Sequence, residues 1–411
     1  AFIASLEPDV VHLTSLLEGF VDDAVTAVGG LGRQALLSVT LHDLIPLLNP
    51  SHYLQPNPRY ARFYHQKLQE IEDFDCLLAN SVFTCEEGRQ HLAVEHERIQ
   101  NVSTAVEDRF RRLSDDASGP ILSALGIEQP FILYTDGADE RKNLPRLIEA
   151  FARLPPSLRQ SYQLVFAGKM SDTDVALLQG VAQRNGQRDR LLFTSHVTDQ
   201  TLVRLYNACT LYVFPSWHEG VGLPVLEAMR CGAPVIGANT SSLPEVIGLD
   251  EAMFDPLDTV AIAGKLEQAL SDNAFLERLR QHGAVQAERF SWDKTAQCAL
   301  GVWEQALDRS DRSEVLPEVH HRPQLIFVSP LPPERTGIAD YSAELIPALA
   351  QHYSLELVVA QEGVDAEALA PFGRIRDLAW LRAQAGNASR VIYQMGNSPF
   401  HAHMLDLIRR I

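Results

Sequence analysis

The sequence has few cysteines, a deficit of positive charge and no long apolar run, and each shortage excludes a class of protein. Its five cysteines form no CxxC pair and are odd in number, which predicts reduced, mostly buried thiols rather than a disulfide framework. Its 35 lysines and arginines face 53 aspartates and glutamates, and the net charge of −18 argues against a nucleic-acid partner. No apolar run reaches the roughly 20 residues that span a bilayer, and the start at Ala1 does not resemble a signal peptide.

These shortages predict a cytoplasmic protein. The acidic charge also argues against general adhesion to an anionic membrane, although one local basic patch would suffice for docking at the inner face of the cell membrane. Arg109, Arg111 and Arg112 come nearest to such a patch, and a solvated helix end or linker is the alternative interpretation. We therefore expect any association with membrane-bound assembly machinery to be peripheral.

The length of 411 residues predicts more than one domain, because a single core rarely grows beyond about 250–300 residues. Apolar runs and helical periodicity alternate along the chain, which predicts parallel sheets covered by helices on both faces. The predicted strands are 8–13, 36–41, 76–80, 131–135, 163–168, 191–193 and 211–214, and the predicted helices are 60–73, 143–154, 174–185, 199–208 and a closing helix at 291–307.

Polar stretches at 114–120 and 308–322 predict the domain boundaries: 1–117, 118–307, a linker at 308–322, and 323–411. A nucleotide-binding α/β domain normally opens with a strand, a glycine loop and a helix. Nothing of this kind precedes Pro8, but a strand at 324–329, a loop from Pro330 to Tyr341, a helix at 342–352 and strands at 355–360 and 391–394 follow the linker. Two interpretations stay open: the last segment begins a second unit of a tandem enzyme, or it completes the sheet of the first domain.

Residues 214–234 are the most informative stretch. An apolar strand at 211–214 leads into a loop with two glycines, Gly220 and Gly222, and a helix opens at Pro224. The start of that helix offers free N–H groups and a partial positive charge. Glu219 lies in the loop and Glu227 in the predicted first helical turn. One carboxylate can therefore meet a sugar and the other ribose hydroxyls, with a diphosphate between them, which indicates a sugar-nucleotide site.

The string Phe-Pro-Ser-Trp-His-Glu-Gly-Val-Gly-Leu-Pro-Val-Leu-Glu-Ala-Met-Arg-Cys-Gly-Ala-Pro at 214–234 closely resembles the signature of the retaining GT-B glycosyltransferases, which place two glutamates eight positions apart. The match continues through 241–246, covers essentially all of 8–305 and restarts at 324. It implies the GT-B fold, an α/β class with two Rossmann-like, doubly wound parallel-sheet domains that face a cleft, here followed by a partial Rossmann-like segment.

The resemblance also implies an activity. It implies a retaining hexosyltransferase that needs no metal and no resident cofactor, with a nucleotide sugar as co-substrate and a glycan or lipid-linked glycan as acceptor. Similar transferases, often tandem, build bacterial surface polysaccharides such as the lipopolysaccharide O-antigen. Many of them use GDP-mannose, which is therefore the expected donor. A non-catalytic module that binds sugar nucleotides for a partner transferase, and a sugar-nucleotide epimerase, are the alternatives.

By resemblance, each residue of the site receives a role. The residues expected to act on the donor sugar and its leaving diphosphate are Glu219, His42, Arg141 and Lys142. The residues expected to bind the rest of the donor or to line the cleft are Glu227, Gly220, Val221, Gly222, Leu223, Lys169, Gly137 and Ser81. By itself, a lone histidine at a strand end is more often structural, and adjacent basic residues before a helix are more often solvated.

Three further features qualify this expectation. The pairs Asp73–Asp75 and Asp172–Asp174 have the spacing of metal ligands, but their places at element ends favour turn and cap roles, so no metal site is predicted. Ala105 and Ser195 stand where the resembled family commonly has glycine. So does Asp136, which would put a negative charge near the diphosphate.

Overall fold

A computed structural model describes residues 8–22, 24–26, 35–114, 118–309, 324–334, 336–351, 353–361, 363–384 and 390–394, together with Ile3 and Leu6. The described residues fall into two compact units, one within residues 3–310 and one within residues 311–411. All the strand pairs between described residues are parallel, which confirms the predicted α/β class.

The first sheet of the larger unit contains four strands in the order β1-β2-β3-β4. They are β1 (Val10–Leu13), β2 (Leu36–Leu41), β3 (Cys76–Ala79) and β4 (Ile99–Asn101). The helices assigned to the described residues 35–114 of this domain are α1 (Ile45–Leu48), α2 (Pro50–Tyr53), α3 (Pro58–Glu70) and α4 (Val82–His91), with 3-10 turns at Ile71–Asp73 and His96–Arg98. Its core lies on both faces of β2 and β3, whose residues alternate between two apolar clusters.

The second sheet contains six strands in the order β10-β9-β8-β5-β6-β7. They are β5 (Phe131–Thr135), β6 (Gln163–Ala167), β7 (Leu191–Phe193), β8 (Leu211–Phe214), β9 (Val235–Ala238) and β10 (Met253–Phe254). All residues of β5, β8 and β9 are buried, as expected for a parallel sheet covered on both faces.

Ten helices are assigned to the described residues between 119 and 309, and most of them follow a strand. They are α5 (Gly119–Ala124), α6 (Leu144–Arg153), α7 (Pro156–Ser161), α8 (Asp172–Arg184), α9 (Asp199–Ala208), α10 (Leu223–Arg230), α11 (Leu243–Ile247), α12 (Thr259–Ser271), α13 (Asn273–Ala287) and α14 (Trp292–Arg309). Single 3-10 turns lie at Glu140–Lys142, Arg188–Arg190 and Asp250–Ala252. The closing helix α14 packs against the first sheet, where the indole N–H of Trp303 donates to Ser38 Oγ at 2.9 Å.

The smaller unit has a four-stranded sheet in the order β13-β12-β11-β14. Its elements are β11 (Gln324–Val328), α15 (Gly337–Ala350), β12 (Ser354–Val358), α16 (Ala366–Leu369), β13 (Gly373–Arg376), α17 (Leu378–Gln384) and β14 (Val391–Tyr393). Both interpretations of this segment, a second acceptor-side domain or the completion of the first, stay predictions.

The structure corrects some boundaries. In the smaller unit the helix begins at Gly337 and not at residue 342, because Thr336 caps it by accepting the N–H of Ala339. The predicted linker at 114–120 already contains the first two residues of α5, and its residues 115–117 lie outside the described residues. Most of the predicted linker at 308–322 also lies outside them, after α14 ends at Arg309.

Two expectations from composition concern the cysteines and the membrane-spanning potential of the helices. The five cysteines are free and four of them are buried, with Cys298 exposed. No helix in the described part of the chain is long and apolar enough to cross a membrane.

Candidate active site

The second sheet has a switch point between β5 and β8. If β5 to β10 are numbered 1 to 6, the strand order is 3-2-1-4-5-6. The strands after β5 are added on one side of it, and those after β8 on the other side. Open α/β sheets bind ligands outside the carboxyl ends of the strands at such a point. The loops that follow β5 and β8 contain Arg141, Lys142 and Glu219, so the topology places these three predicted residues at the expected crevice.

Glu219 is the centre of this cluster. Its Oε1 atom lies 2.6 Å from Lys142 Nζ, 2.6 Å from Arg141 Nη1 and 2.6 Å from Ser216 Oγ. Glu219 is 7% exposed and Lys142 3%, so these charges interact in an environment that water screens poorly. The Lys142 ammonium also lies 5.2 Å from the centroid of the Phe214 ring, in cation–π geometry. The structure therefore brings both predicted cations onto the predicted sugar-binding carboxylate.

Backbone contacts hold the two loops together. Trp217 N–H donates to the carbonyl of Arg141 at 3.0 Å, Ser216 Oγ lies 3.0 Å from the same carbonyl oxygen, and Arg141 Nη1 donates to the carbonyl of His218 at 3.0 Å. Asn143, in the left-handed region at φ 62°, donates its amide to the carbonyl of Pro215 at 3.1 Å. The basic turn and the glutamate loop therefore form one hydrogen-bonded structure.

Glu227 lies in the second turn of its helix, and the prediction of the first turn was wrong. The helix starts at Leu223 because Gly222, at φ 89°, is its N-cap, so Glu227 is the fifth helical residue. Tyr206 donates its hydroxyl hydrogen to Glu227 Oε2 at 2.8 Å, and Tyr206 itself contacts Thr135 at the end of β5 at 2.8 Å. Burial raises the pKa of Glu227 to about 7, although the Tyr206 hydrogen bond lowers it.

This pKa predicts that Glu227 costs stability at neutral pH. The pKa of Glu227 is higher in the folded state than its unfolded-state value of 4.5. Its contribution to the free energy of unfolding is therefore fully present below pH 4.5 and is lost as the pH rises through about 7. The difference between the folded and unfolded pKa values corresponds to about 3 kcal/mol, at about 1.4 kcal/mol per pKa unit. We expect Glu227→Gln to raise the free energy of unfolding at pH 8 by about 1–3 kcal/mol, and by little near pH 4.5.

Urea unfolding curves from pH 4.5 to pH 8 measure this difference. The matched control is Glu267→Gln on the exposed side of α12, which we expect to show no pH-dependent gain. A wild-type protein as stable as Glu227→Gln at pH 8 would contradict the assignment of a desolvated carboxylate.

The glycine loop runs against the first domain. Ser81 Oγ and Thr84 Oγ1, at the start of α4, donate to the carbonyl of Gly220 at 2.6 and 3.1 Å. A Cβ atom on Gly220 would approach the carbonyl oxygen of His42 to well within 3.0 Å, so glycine is required by this contact. Ser81 therefore holds the loop that carries Glu219, and its predicted place in the lining of the cleft stays a prediction.

The remaining predicted residues flank this cluster. Val221 is buried and Leu223 is 40% exposed at the helix start, where Ser242 Oγ donates to the carbonyl of Val221 at 2.9 Å. After β5, the carbonyl of Gly137 accepts from Tyr134 Oη at 2.8 Å. A Cβ on Gly137 would lie 3.8 Å from the carbonyl oxygen of Lys169, so these two backbones are neighbours.

His42 has a different local partner from the predicted sugar. Its Nε2 atom lies 2.8 Å from the carbonyl oxygen of Thr14, while its own carbonyl faces Gly220. Asp43 accepts the N–H of Ile45 at 3.0 Å, which is the loop-holding role predicted for it. Contact between His42 and the transferred sugar stays a prediction.

A contact between the domains through His218 was not indicated by any sequence pattern. This buried residue immediately precedes Glu219, and its Nε2 atom lies 2.9 Å from Glu87 Oε1 on α4 while its Nδ1 atom lies 3.0 Å from Asn49 Nδ2. A second contact joins the domains where Tyr53 donates its hydroxyl hydrogen to Asp139 at 2.5 Å. Residues of the first domain thus contact His218, which adjoins Glu219, and Asp139, which lies two positions before Arg141.

The two acidic pairs have structural roles. Asp75 accepts the N–H of Leu37 at 2.8 Å and Asp174 completes a capping box with Ser171 at the start of α8. In the described part of the chain, no group of three or more His, Cys, Asp or Glu side chains could hold a metal ion.

Comparison with known proteins assigns a family to this part of the chain. The family model "Glycosyl transferases group 1" matches residues 123–286, a range that contains the second sheet and both loops. Residues 123–286 form a group 1 glycosyltransferase domain. The serotype-specific mannosyltransferase WbdA of Escherichia coli is 38% identical over 317 residues, which cover 76% of this chain and 38% of that protein. The O-antigen chain mannosyltransferase B of Escherichia coli is 31% identical over 256 residues, covering 62% of this chain and 66% of that protein.

Solved structures confirm the fold. Anabaena Alr3699/HepE, in complex with UDP and glucose, superposes with a TM-score of 0.59 at 20% identity, covering 72% of this chain and 77% of that one. The glycosyltransferase WaaG, involved in lipopolysaccharide biosynthesis, superposes with a TM-score of 0.53 at 20% identity, covering 66% and 74%. The predicted GT-B fold class is confirmed. The chain spans 38% of the length of the first relative that it matches, so the activity of the whole protein is a separate question.

Proposed function

We propose that the chain is a retaining mannosyltransferase of bacterial O-antigen synthesis, which moves mannose from GDP-mannose to a growing glycan or lipid-linked glycan without a metal ion. The contact of Glu219 Oε1 with both Arg141 and Lys142 at the switch point carries this proposal. The mannosyltransferase names of the relatives WbdA and O-antigen chain mannosyltransferase B support the choice of sugar and pathway.

The chemistry assigns a task to each group. The bond between mannose C1 and the β-phosphate oxygen breaks, and its electron pair leaves on the diphosphate. A new bond forms between C1 and an acceptor hydroxyl oxygen, whose proton is released. Arg141 and Lys142 stabilise the negative charge that develops on the leaving diphosphate, since preorganised cations act most strongly in a water-poor site. Glu219 orients the sugar through its hydroxyls, and Glu227 accepts hydrogen bonds from the ribose.

His42 and Ser81 belong to the first domain, which supplies the acceptor side of the cleft. In the proposal His42 contacts the transferred sugar. Lys169 and Gly137, which follow neighbouring strands, contact the nucleotide, and the backbone of 220–223 receives the sugar and phosphates. Peripheral association with a membrane-bound assembly complex accounts for access to a lipid-linked acceptor.

We expect transfer to survive removal of divalent metal, because two fixed cations supply the charge that Mg²⁺ supplies in metal-dependent transferases. The measurement is the initial rate of transfer from GDP-mannose with excess EDTA, against a parallel assay with added MgCl₂. Complete loss of activity in EDTA, restored by Mg²⁺ or Mn²⁺, would contradict the metal-independent part of the proposal.

A thermal-shift screen of nucleotide sugars tests the donor. A ligand at about 100 times its Kd stabilises the folded state by about 2.7 kcal/mol, which corresponds to a shift of several degrees for a domain of this size. We expect GDP-mannose and GDP to raise Tm, and UDP-glucose to have little effect. Free mannose is the control ligand, and the Lys142→Ala variant is the control protein, in which the GDP shift should shrink.

Product analysis of the same nucleotide sugars, with and without acceptors, separates the alternatives. Donor binding without transfer to any of a panel of glycan acceptors would favour a non-catalytic module. Formation of an epimeric sugar in the absence of acceptor would identify an epimerase. A response to no nucleotide sugar would overturn the proposal.

A further inference from the structure

Asp136 has a backbone conformation that favours glycine. It follows β5 directly, at the switch point, and its φ of +118° is one that L side chains rarely adopt. Its N–H donates to the carbonyl of Ala167 at 3.2 Å, and its own carbonyl lies where a Cβ on Gly168 would have to be. The ends of β5 and β6 therefore impose this conformation. Strained residues of this kind cluster at functional sites, where the side chain has a use that offsets the strain.

The side chain of Asp136 engages the catalytic lysine. Its Oδ2 atom forms an ion pair with Lys142 Nζ, and its Oδ1 atom accepts the N–H of Gly137 at 2.6 Å. Lys142 Nζ contacts Glu219 Oε1 at the same time, so the ammonium is held between two carboxylates. The Asp136 side chain is 37% exposed whereas that of Lys142 is 4% exposed, so the carboxylate lies on the open side of the pair.

The charges of the site do not favour a strongly bound diphosphate. Two cations, Arg141 and Lys142, face the carboxylates of Glu219, Asp136 and Asp139, the last lying 3.6 Å from Arg141 Nε. A nucleoside diphosphate adds at least two negative charges to a cluster in which carboxylates already outnumber cations. It must also compete with Asp136 for Lys142. The negative charge of Asp136 therefore weakens the attraction between this site and any diphosphate.

We propose that Asp136 is a positioning residue that holds Lys142 toward Glu219 in the empty site and limits the affinity for the nucleoside diphosphate product, so that this product is released. This inference rests on the proposed function of the site. It explains why an aspartate occupies a position at which glycine would be unstrained: the charge speeds release of a leaving group that two cations would otherwise retain.

Two substitutions separate the charge from the backbone. Asp136→Asn removes the charge and keeps the size, and asparagine tolerates positive φ better than most residues. Asp136→Gly removes the charge and the strain together. The matched control is Ser195→Gly, because Ser195 follows β7 at φ 58° and bears no charge, so that this change relieves strain alone.

The measurement is the Kd for GDP by isothermal titration at low and at high NaCl concentration, with the inhibition constant of GDP in the transfer assay as a second readout. We expect Asp136→Asn and Asp136→Gly each to bind GDP at least tenfold more tightly than the wild type at low salt. The difference in Kd between the variants and the wild type should become smaller at high salt, because ions screen the repulsion between Asp136 and the diphosphate. The inhibition constant should fall by the same factor, and Ser195→Gly should match the wild type in both.

Each outcome decides the question. Equal or weaker GDP binding by both Asp136 variants, with transfer activity intact in the wild type, would overturn this inference and leave the proposed function standing. A gain in Ser195→Gly equal to that in Asp136→Gly would assign the effect to strain and also overturn it. Failure of all four proteins to bind GDP or UDP would overturn both proposals. If Asp136→Asn does not fold, Asp136→Gly, which has no strain at this position, decides alone.

Discussion

Glu219→Gln and Lys142→Ala should each lower the turnover number by about 100- to 1000-fold, the usual effect of removing one preorganised charge or donor from a transition-state site. Glu219 Oε1 lies 2.6 Å from Lys142 Nζ, Arg141 Nη1 and Ser216 Oγ. Replacing this carboxylate with a neutral amide therefore removes two ion pairs at once. In Lys142→Ala the diphosphate of the proposed donor would lose the more buried of its two expected cations. The loss should therefore appear mainly in turnover and less in the KM for the donor.

The fold should survive both changes. Removing one partner of a buried ion pair can cost about 3–5 kcal/mol, but in Lys142→Ala the carboxylate of Glu219 keeps Arg141, so the cost should fall below this range. Thermal unfolding of each variant, recorded beside the initial rates, distinguishes lost chemistry from lost structure. Lys265→Ala, which removes a lysine bonded to the carbonyl of Glu251, is the control for loss of a positive charge. Rates close to wild type in both site variants would refute the site assignment.

Gly220→Ala should reduce kcat/KM by about 100-fold or more through geometry alone, because misplacement of reacting groups by about 1 Å can cost that much. The added Cβ would lie less than 3.0 Å from the carbonyl oxygen of His42, a distance that Cβ atoms in proteins essentially never show. It would also lie 3.2 Å from Asp43 Cβ. Both neighbours belong to the first domain, and the clash involves backbone that cannot rotate away. The loop must move, and Glu219, which adjoins residue 220, must move with it.

The movement also breaks contacts between the domains. Ser81 Oγ donates to the carbonyl of Gly220 at 2.6 Å, so a displaced loop loses this hydrogen bond and Tm should fall. The control is Gly264→Ala within α12, where an added Cβ meets nothing within 4 Å. That change should raise stability by about 0.5–1 kcal/mol, the usual gain of alanine over glycine inside a helix, and leave activity unchanged. Wild-type activity in Gly220→Ala would show that the loop contact is not needed for catalysis.

The loop that contains Gly220 is one of several places where the first domain contacts the proposed site. Asn49 and Glu87 contact both ring nitrogens of His218, which precedes Glu219, and Tyr53 contacts Asp139 in the turn that ends at Lys142. The proposed donor chemistry thus depends on residues of the first domain as well as of the second.

The sequence by itself was sufficient for the periodic features. Strands 36–41, 131–135, 191–193 and 211–214 and helix 199–208 match the structure without error, because a continuous apolar run or a helical repeat depends on nearby residues only. The glutamate loop and the basic turn were also recognisable, since both are contiguous strings that follow strands.

Only the tertiary structure decided which groups meet. His218 and Glu87 are 131 positions apart, and Lys142 and Glu219 are 77 apart, so no local pattern could pair them. The raised pKa of Glu227 depends on burial that a sequence does not display, and the +118° φ of Asp136 depends on how the ends of β5 and β6 pack. Local preferences act over a few residues, whereas contacts, desolvation and strain arise when distant segments fold against each other. For that reason the sequence indicated the two strings of the proposed site but not the partners of their residues.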